Sequence, residues 1–129
     1  MTDEPQPPPP GGTSEGYSTL GSRALVIRDS DAMRNGIRGM VREVATNKLL
    51  VRLPQTLPQN EQIQLKLRNF VQRFRKEARG VVRGHTPDPK VPDHFLIEVE
   101  LYSRLTPLEV SLLRMGVRDE NIPRTKKWV

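Results

Sequence analysis

The residues in this chain best equipped for chemistry are arginines: 15 of the 129 residues, against 6 lysines. Residues 38–53 read "RGMVREVATNKLLVRL", two apolar alternations flanking a polar "ATNK", with Arg38, Arg42 and Arg52 recurring through them. That pattern predicts a β-hairpin with a cationic face. A guanidinium is a rigid fork of donors that matches phosphate, carboxylate or a guanine edge. Anion binding is therefore the chemistry to look for. Arg23 and Arg28 bracket a first apolar run, and Arg68, Arg73, Arg75, Lys76, Arg79 and Arg83 crowd the middle of the chain. Phe74 is the aromatic within that middle cluster.

Catalytic patterns are sparse. His85 stands near Asp88 and His94 beside Asp93, but neither spacing matches a zinc site, and there is no cysteine to complete one. No serine lies in a nucleophile elbow, and no glycine-rich phosphate loop opens a helix. Glu98 and Glu100 share one strand face, where they can act as an acid/base pair or face solvent against arginines across the sheet. The expectation is a binding protein that is not an enzyme and has no metal or cofactor.

Positioning these groups falls to one domain's worth of chain. The first 22 residues, "MTDEPQPPPPGGTSEGYSTLGS", hold three acids and no Lys or Arg, so all 21 basic residues lie from Arg23 onward with the other 12 acids. A body this basic favours anionic partners. The Pro/Gly-rich segment 1–22 cannot bury enough apolar surface to offset its ordering entropy and is predicted to be a disordered tail. Absence of cysteine excludes disulfide and thiolate chemistry. No apolar run approaches the ~20 residues a spanning helix needs, so no membrane insertion is expected. The acidic, Pro-rich start is unlike a signal peptide, and a cytoplasmic location is expected.

From Arg23 to Arg118 the chain predicts a single domain, followed by a basic tail over 119–129. "RALVIR", "IRGMVREV", "LLVRL", "EQIQLKLR", "EARGVVR" and "HFLIEVELY" read as six short strands. Asn35-Gly36, "ATNK", "PQTLPQN" and the three-proline "HTPDPKVPD" separate them as turns and loops. "TPLE" then sets Thr106 as N-cap, Pro107 as first helical residue and Glu109 as the far side of a capping box. Leu105, Leu108, Leu112 and Met115 form the expected buried stripe, and Gly116 a left-handed cap. The fold class is mainly β, a small six-stranded antiparallel barrel with one C-terminal helix.

This order of strands and loops, together with "ARGVVRGHTPDPKVPDHFLIEVELYSRLTPLEV", resembles the PilZ domain, a bacterial receptor module for cyclic di-GMP, over roughly residues 23–118. The resemblance implies a nucleotide site with an N-terminal RxxxR and, about twenty residues later, a D/NxSxxG on the second strand and turn. The second motif falls on Glu43-Val44-Ala45-Thr46-Asn47-Lys48. The acid is kept as Glu43, while Ala45 stands at the serine position and Lys48 at the glycine position. Arg23 stands twenty positions earlier, with Arg28 five residues on rather than four. The implied ligand residues are therefore Arg23, Arg28, Arg42, Glu43, Ala45, Asn47 and Lys48. Without the hydroxyl, and with a side chain where glycine permits a left-handed backbone and close approach, the site is expected to bind cyclic di-GMP weakly or not at all. The implied role is a PilZ-like adaptor in bacterial cyclic di-GMP signalling, with an unidentified protein partner. The competing expectation is a small basic barrel that binds nucleic acid through phosphate contacts.

Overall fold

The computed structural model describes residues 21–117; the expected tail up to residue 20, Arg118 and the basic tail 119–129 lie outside them. Six antiparallel strands close into a barrel: β1 (Ser22–Arg28), β2 (Ile37–Val44), β3 (Lys48–Leu53), β4 (Gln62–Asn69), β5 (Phe74–Pro87) and β6 (Phe95–Leu101), followed by helix α1 (Pro107–Met115). Around the barrel the order is β1-β2-β3-β6-β5-β4, with β4 returning to β1. Closure leaves no sheet edge to pair with another chain. Strict alternation fills the interior. Ala24 and Val26, Leu49, Val51 and Leu53, Ile63, Leu65 and Leu67, and Ile97 and Val99 all point inward and are fully buried.

Two arginines interrupt that alternation. Val41 faces Val51, yet Glu43 faces Leu50, so Arg42 is the extra residue of a β-bulge. Val82 faces Val99 while Gly84 faces Glu98, making Arg83 the second. A bulge resets which face the following residues occupy. Val41 and Val44 are consequently both buried, although three positions apart. The second bulge lets β5 continue through His85 and Thr86 to Pro87, opposite Phe95. β5 is thus 14 residues long, not the short strand over 77–83 that "EARGVVR" predicts. Pro87 sits at the end of the ladder, where proline is tolerated, and the proline-rich loop shrinks to 88–94.

Helix α1 covers one end of the barrel. Its start is as predicted: Thr106 Oγ1 accepts from the Glu109 backbone N–H at 3.1 Å, and Glu109 Oε1 accepts from the Thr106 N–H at 2.9 Å. That hydrogen bond, together with the Lys76 ammonium, holds the Glu109 carboxyl below its ordinary value despite partial desolvation. Thr106→Ala should cost about 1 kcal/mol in urea denaturation; a change no larger than scatter would show that the cap is dispensable once α1 is docked.

The buried face differs from the expected stripe. Val110 and Leu113 are buried, whereas Leu108 and Met115 are 67% and 65% exposed and Leu112 is half-buried. Leu105 is buried as expected. Gly116 is also not left-handed; its φ is −95°. Its need is steric, since a Cβ there would collide with the Oγ and backbone N of Ser22. Ser22, assigned to the tail by the sequence, belongs to the barrel. It is fully buried, donates from its backbone to Gly116 O at 2.8 Å, and from Oγ to Leu113 O at 2.6 Å. Asn69 Nδ2 caps Leu112 O at 2.7 Å. Two buried side chains from different strands thus satisfy carbonyls that a helix C-terminus leaves open.

Candidate functional site

The β2–β3 hairpin lies under α1. Ala45, Thr46 and Asn47 join the strands, with the Ala45 N–H donating to Lys48 O at 2.9 Å. The backbone carbonyls of this turn are taken from the C-terminal side of the chain. Arg114 donates from Nε and Nη2 to Val44 O at 3.2 and 3.0 Å. The Leu105 N–H reaches Thr46 O at 2.7 Å and the Leu101 N–H reaches Asn47 O at 2.8 Å. Three hairpin carbonyls, those of Val44, Thr46 and Asn47, are thereby latched to α1, to the β6–α1 connection and to the end of β6.

Most of the seven residues singled out by the resemblance gather at this end of the barrel. Arg42 is half-buried at its bulge, Glu43 and Lys48 are exposed, and Ala45 and Asn47 are half-buried. Lys48 opens β3 opposite Glu100. The non-glycine left-handed residues among those described are Arg34, Asn60, Arg73 and Asp93; Lys48 is not one of them, so its backbone makes no demand for glycine. Arg23 joins this end from β1, opposite Met40 on β2 and Arg68 on β4. It lies on the outer surface, because Ala24 and Val26 alternate inward, yet it is only 9% exposed.

Arg28 does not join them. Five residues further along β1, it lies at the far end of the barrel and on the opposite face, since an odd spacing reverses side-chain direction in a strand. Its Nε and Nη2 grip both carboxylate oxygens of Glu61 at 2.6 and 2.9 Å. The cationic face expected for Arg38, Arg42 and Arg52 also divides. Arg52 is turned to Asp88 of the β5–β6 loop at 2.5 Å and is nearly buried. Arg38 is exposed, and Arg42 leaves the row at the bulge.

No family model matches the chain, and neither does any curated protein or solved structure.

The remaining candidates are likewise engaged. His94 Nδ1 approaches Pro92 O at 3.1 Å, and His85 meets the Phe95 ring edge-on with centroids 6.4 Å apart. Glu100 binds Arg83 Nε at 2.7 Å, the cross-strand pairing its spacing suggests. Among the described residues no three His, Asp or Glu side chains gather as metal ligands would, and no helix is long and apolar enough to cross a membrane. Sequence reasoning took Asp88 only as a neighbour of His85 and missed the buried roles of Asp88, Ser22 and Asn69, which tie loops and helix to the barrel. It also missed Phe70, whose ring lies 5.5 Å from the Arg68 guanidinium. Phe70 lies just beyond Asn69, close enough in sequence to the arginine run to have been included.

Proposed function

We propose that this chain is a non-enzymatic, PilZ-like adaptor of bacterial cyclic di-GMP signalling whose nucleotide site is blunted and which acts through protein contacts. The observation that carries this reading is the latched hairpin. The six-stranded barrel puts Glu43–Lys48 on the second strand and turn, where the resemblance implies the nucleotide motif. The same turn presents a methyl at Ala45, a lysine side chain at Lys48, and carbonyls already bonded to Leu101, Leu105 and Arg114. Arg28, one of the two arginines implied to grip phosphate, is held by Glu61 at the other end of the barrel.

The outer face of α1 supports the adaptor role. Val110, Leu113 and Val117 pack toward the barrel, while Leu108, Leu112 and Met115 recur at i, i+4 and i+7 on the opposite side. A helix apolar on both faces implies a second cover. The matching surface is a partner's apolar groove, entered in the helix-in-groove mode.

Calorimetry with cyclic di-GMP tests the reading. The wild-type chain should show no binding, or binding weaker than about 10 μM, a free energy of roughly −7 kcal/mol. The triple change Glu43→Asp, Ala45→Ser, Lys48→Gly should then raise affinity at least tenfold. Tight binding by the wild type would overturn the blunted site. No gain in the triple variant, and none when the latch is also loosened by Leu113→Ala, would show that this hairpin is not the family's ligand position.

A further inference from the structure

The β4–β5 hairpin carries a row of charge that the barrel itself does not use. Arg23 on β1 is directly opposite Arg68 on β4, and Arg68 is directly opposite Arg75 on β5. Ala24 and Leu67 are core residues and Phe74 packs against the core. The three arginines therefore alternate outward together, spanning about 10 Å at the ~4.8 Å spacing of neighbouring strands. Like charges placed directly opposite one another destabilise a sheet. Lys66 lies one pleat further along β4, and Arg73 stands at the hairpin tip in a left-handed conformation, φ 54°. These four cations, Lys66, Arg68, Arg73 and Arg75, are exposed.

Cations off this row are treated differently. Arg28, Arg52, Lys76, Arg79 and Arg83 are neutralised by Glu61, Asp88, Glu109, Asp29 and Glu100. Among the described residues Lys66, Arg73 and Arg75 form no ion pair. Glu77 is opposite Lys66 and takes a hydrogen bond from Gln64 at 3.4 Å. Arg68 holds its guanidinium carbon over the Phe70 ring, 5.5 Å from the centroid. A guanidinium plane backed by an aromatic ring is a surface on which a nucleobase stacks.

We propose that the outer face of the β4–β5 hairpin binds single-stranded nucleic acid. Arg68, Arg75, Arg73 and Lys66 contact successive phosphates, and the Arg68–Phe70 pair supports a base. Arg23, nearly buried at the β1 end of the row and engaged in its own contacts, adds positive potential. This inference is independent of the nucleotide reading of the β2–β3 hairpin. Phosphate suits the row because each guanidinium can take it bidentately. The aromatic ring beside the row favours a nucleic acid over an acidic peptide.

The test is fluorescence anisotropy of the full chain with a labelled oligothymidylate of about 12 nucleotides, within the usual site sizes for such folds. Arg68→Ala with Arg75→Ala should weaken binding at least tenfold. It should also flatten the slope of log K against log salt by about 1.4, the share of two phosphate contacts on a single strand. Arg79→Ala with Arg83→Ala, which removes two paired cations from the same strand, should change affinity less than about twofold. Phe70→Ala should weaken oligonucleotide binding while leaving inorganic polyphosphate binding unchanged. A thermal melt checks folding: losing like-charge neighbours should leave the Arg68/Arg75 variant at least as stable as wild type.

No binding at low salt, or equal losses in the two double variants, would overturn the proposal. Equal competition by polyglutamate would reassign the row to acidic peptides, and insensitivity to Phe70 would remove the base platform; either result overturns the nucleic-acid assignment.

Discussion

Replacing Asp88 with Ala should cost about 3 kcal/mol in chemical denaturation, a large effect for a residue in a loop. The reason is burial. The side chain of Asp88 is 1% exposed and that of Arg52 is 10% exposed, with 2.5 Å between them. Arg52 also points a guanidinium nitrogen at the Met40 sulfur at 3.7 Å. Asp88 Oδ1 accepts from the Lys90 N–H at 2.8 Å, and the Asp88 N–H donates to His94 O at 2.9 Å. One carboxylate therefore folds the β5–β6 loop and pins it against the outside of β3. Removing it leaves the Arg52 charge in a dry setting without its buried counter-charge. Replacing both residues, as Arg52→Met with Asp88→Ala, should cost less than the two single changes added together.

The same pair sets an acid limit. Burial pushes the Asp88 carboxyl up, but hydrogen bonds from Arg52 and the Lys90 N–H, with the Arg52 charge, outweigh it and hold the carboxyl below its ordinary value. A carboxyl with a lower pKa folded than unfolded contributes stability that is complete above the unfolded value, about 3.9, and drains away as pH falls through the folded pKa. Wild-type stability should therefore drop on the acid side of about pH 4, with a shallower fall in Asp88→Asn. Parallel acid curves would show that Asp88 is not the group responsible. Asp31 titrates low as well, held chiefly by the Gly36 N–H against some desolvation. It lies on the surface, so subtracting the Asp88→Asn curve isolates the buried pair.

Legibility in this chain followed periodicity. "EQIQLKLR" and "FLIEVEL" alternate without interruption, and their inward residues are those the pattern names. The two bulges are where the pattern failed. Nothing in "MVREV" or "VVRGH" distinguishes an arginine that pairs from one inserted into the ladder. The decision comes from Val44 seeking the core after Val41, and from Phe95 reaching Pro87. The helix start was legible because capping is local: Thr106, Pro107 and Glu109 act within one turn. Its buried face was not. Leu108, Leu112 and Met115 make as good a stripe as Val110, Leu113 and Val117, and only docking on the barrel end selects between them.

The candidate site shows the same divide. Placing the "ATNK" turn between β2 and β3 needed only local pattern. Learning that Leu101, Leu105 and Arg114 bind its carbonyls needed contacts across 54 to 70 residues of chain. Arg23 and Arg28 look equivalent in the sequence, each at one end of "RALVIR". Strand geometry sends them to opposite faces and opposite ends, and Glu61 takes Arg28. Ser22 reads as the end of a Ser/Gly-rich tail because its worth lies in a helix 91 residues away.

That distant contact leads to the second large effect. Leu113→Ala should cost about 3 kcal/mol, because Leu113 is fully buried between α1 and the barrel end and a truncation there leaves a cavity. Gly116→Val should cost about 1–3 kcal/mol by a different route, forcing a side chain into Ser22 and lifting the last turn. Both changes weaken the seat of α1, and α1 with the segment before it holds the β2–β3 turn. Hydrogen exchange should therefore show the Leu101 and Leu105 amides, which bond to Asn47 O and Thr46 O, losing more protection than amides in the β4–β5 ladder. Leu65→Ala is the matched control, a truncation of similar size in the barrel centre away from α1. It should lower global stability without singling out those two amides. If Leu113→Ala instead speeds exchange evenly through every strand, helix and barrel open as one unit, and the turn is held by global stability rather than by the latch. If the two amides open first, the hairpin is locked by α1 in particular, and cyclic di-GMP titrated into Leu113→Ala then reports separately on the latch and on Ala45 and Lys48. Under the proposed cyclic di-GMP reading, a gain in affinity would assign the weak binding to the latch, and continued silence would assign it to the two side chains.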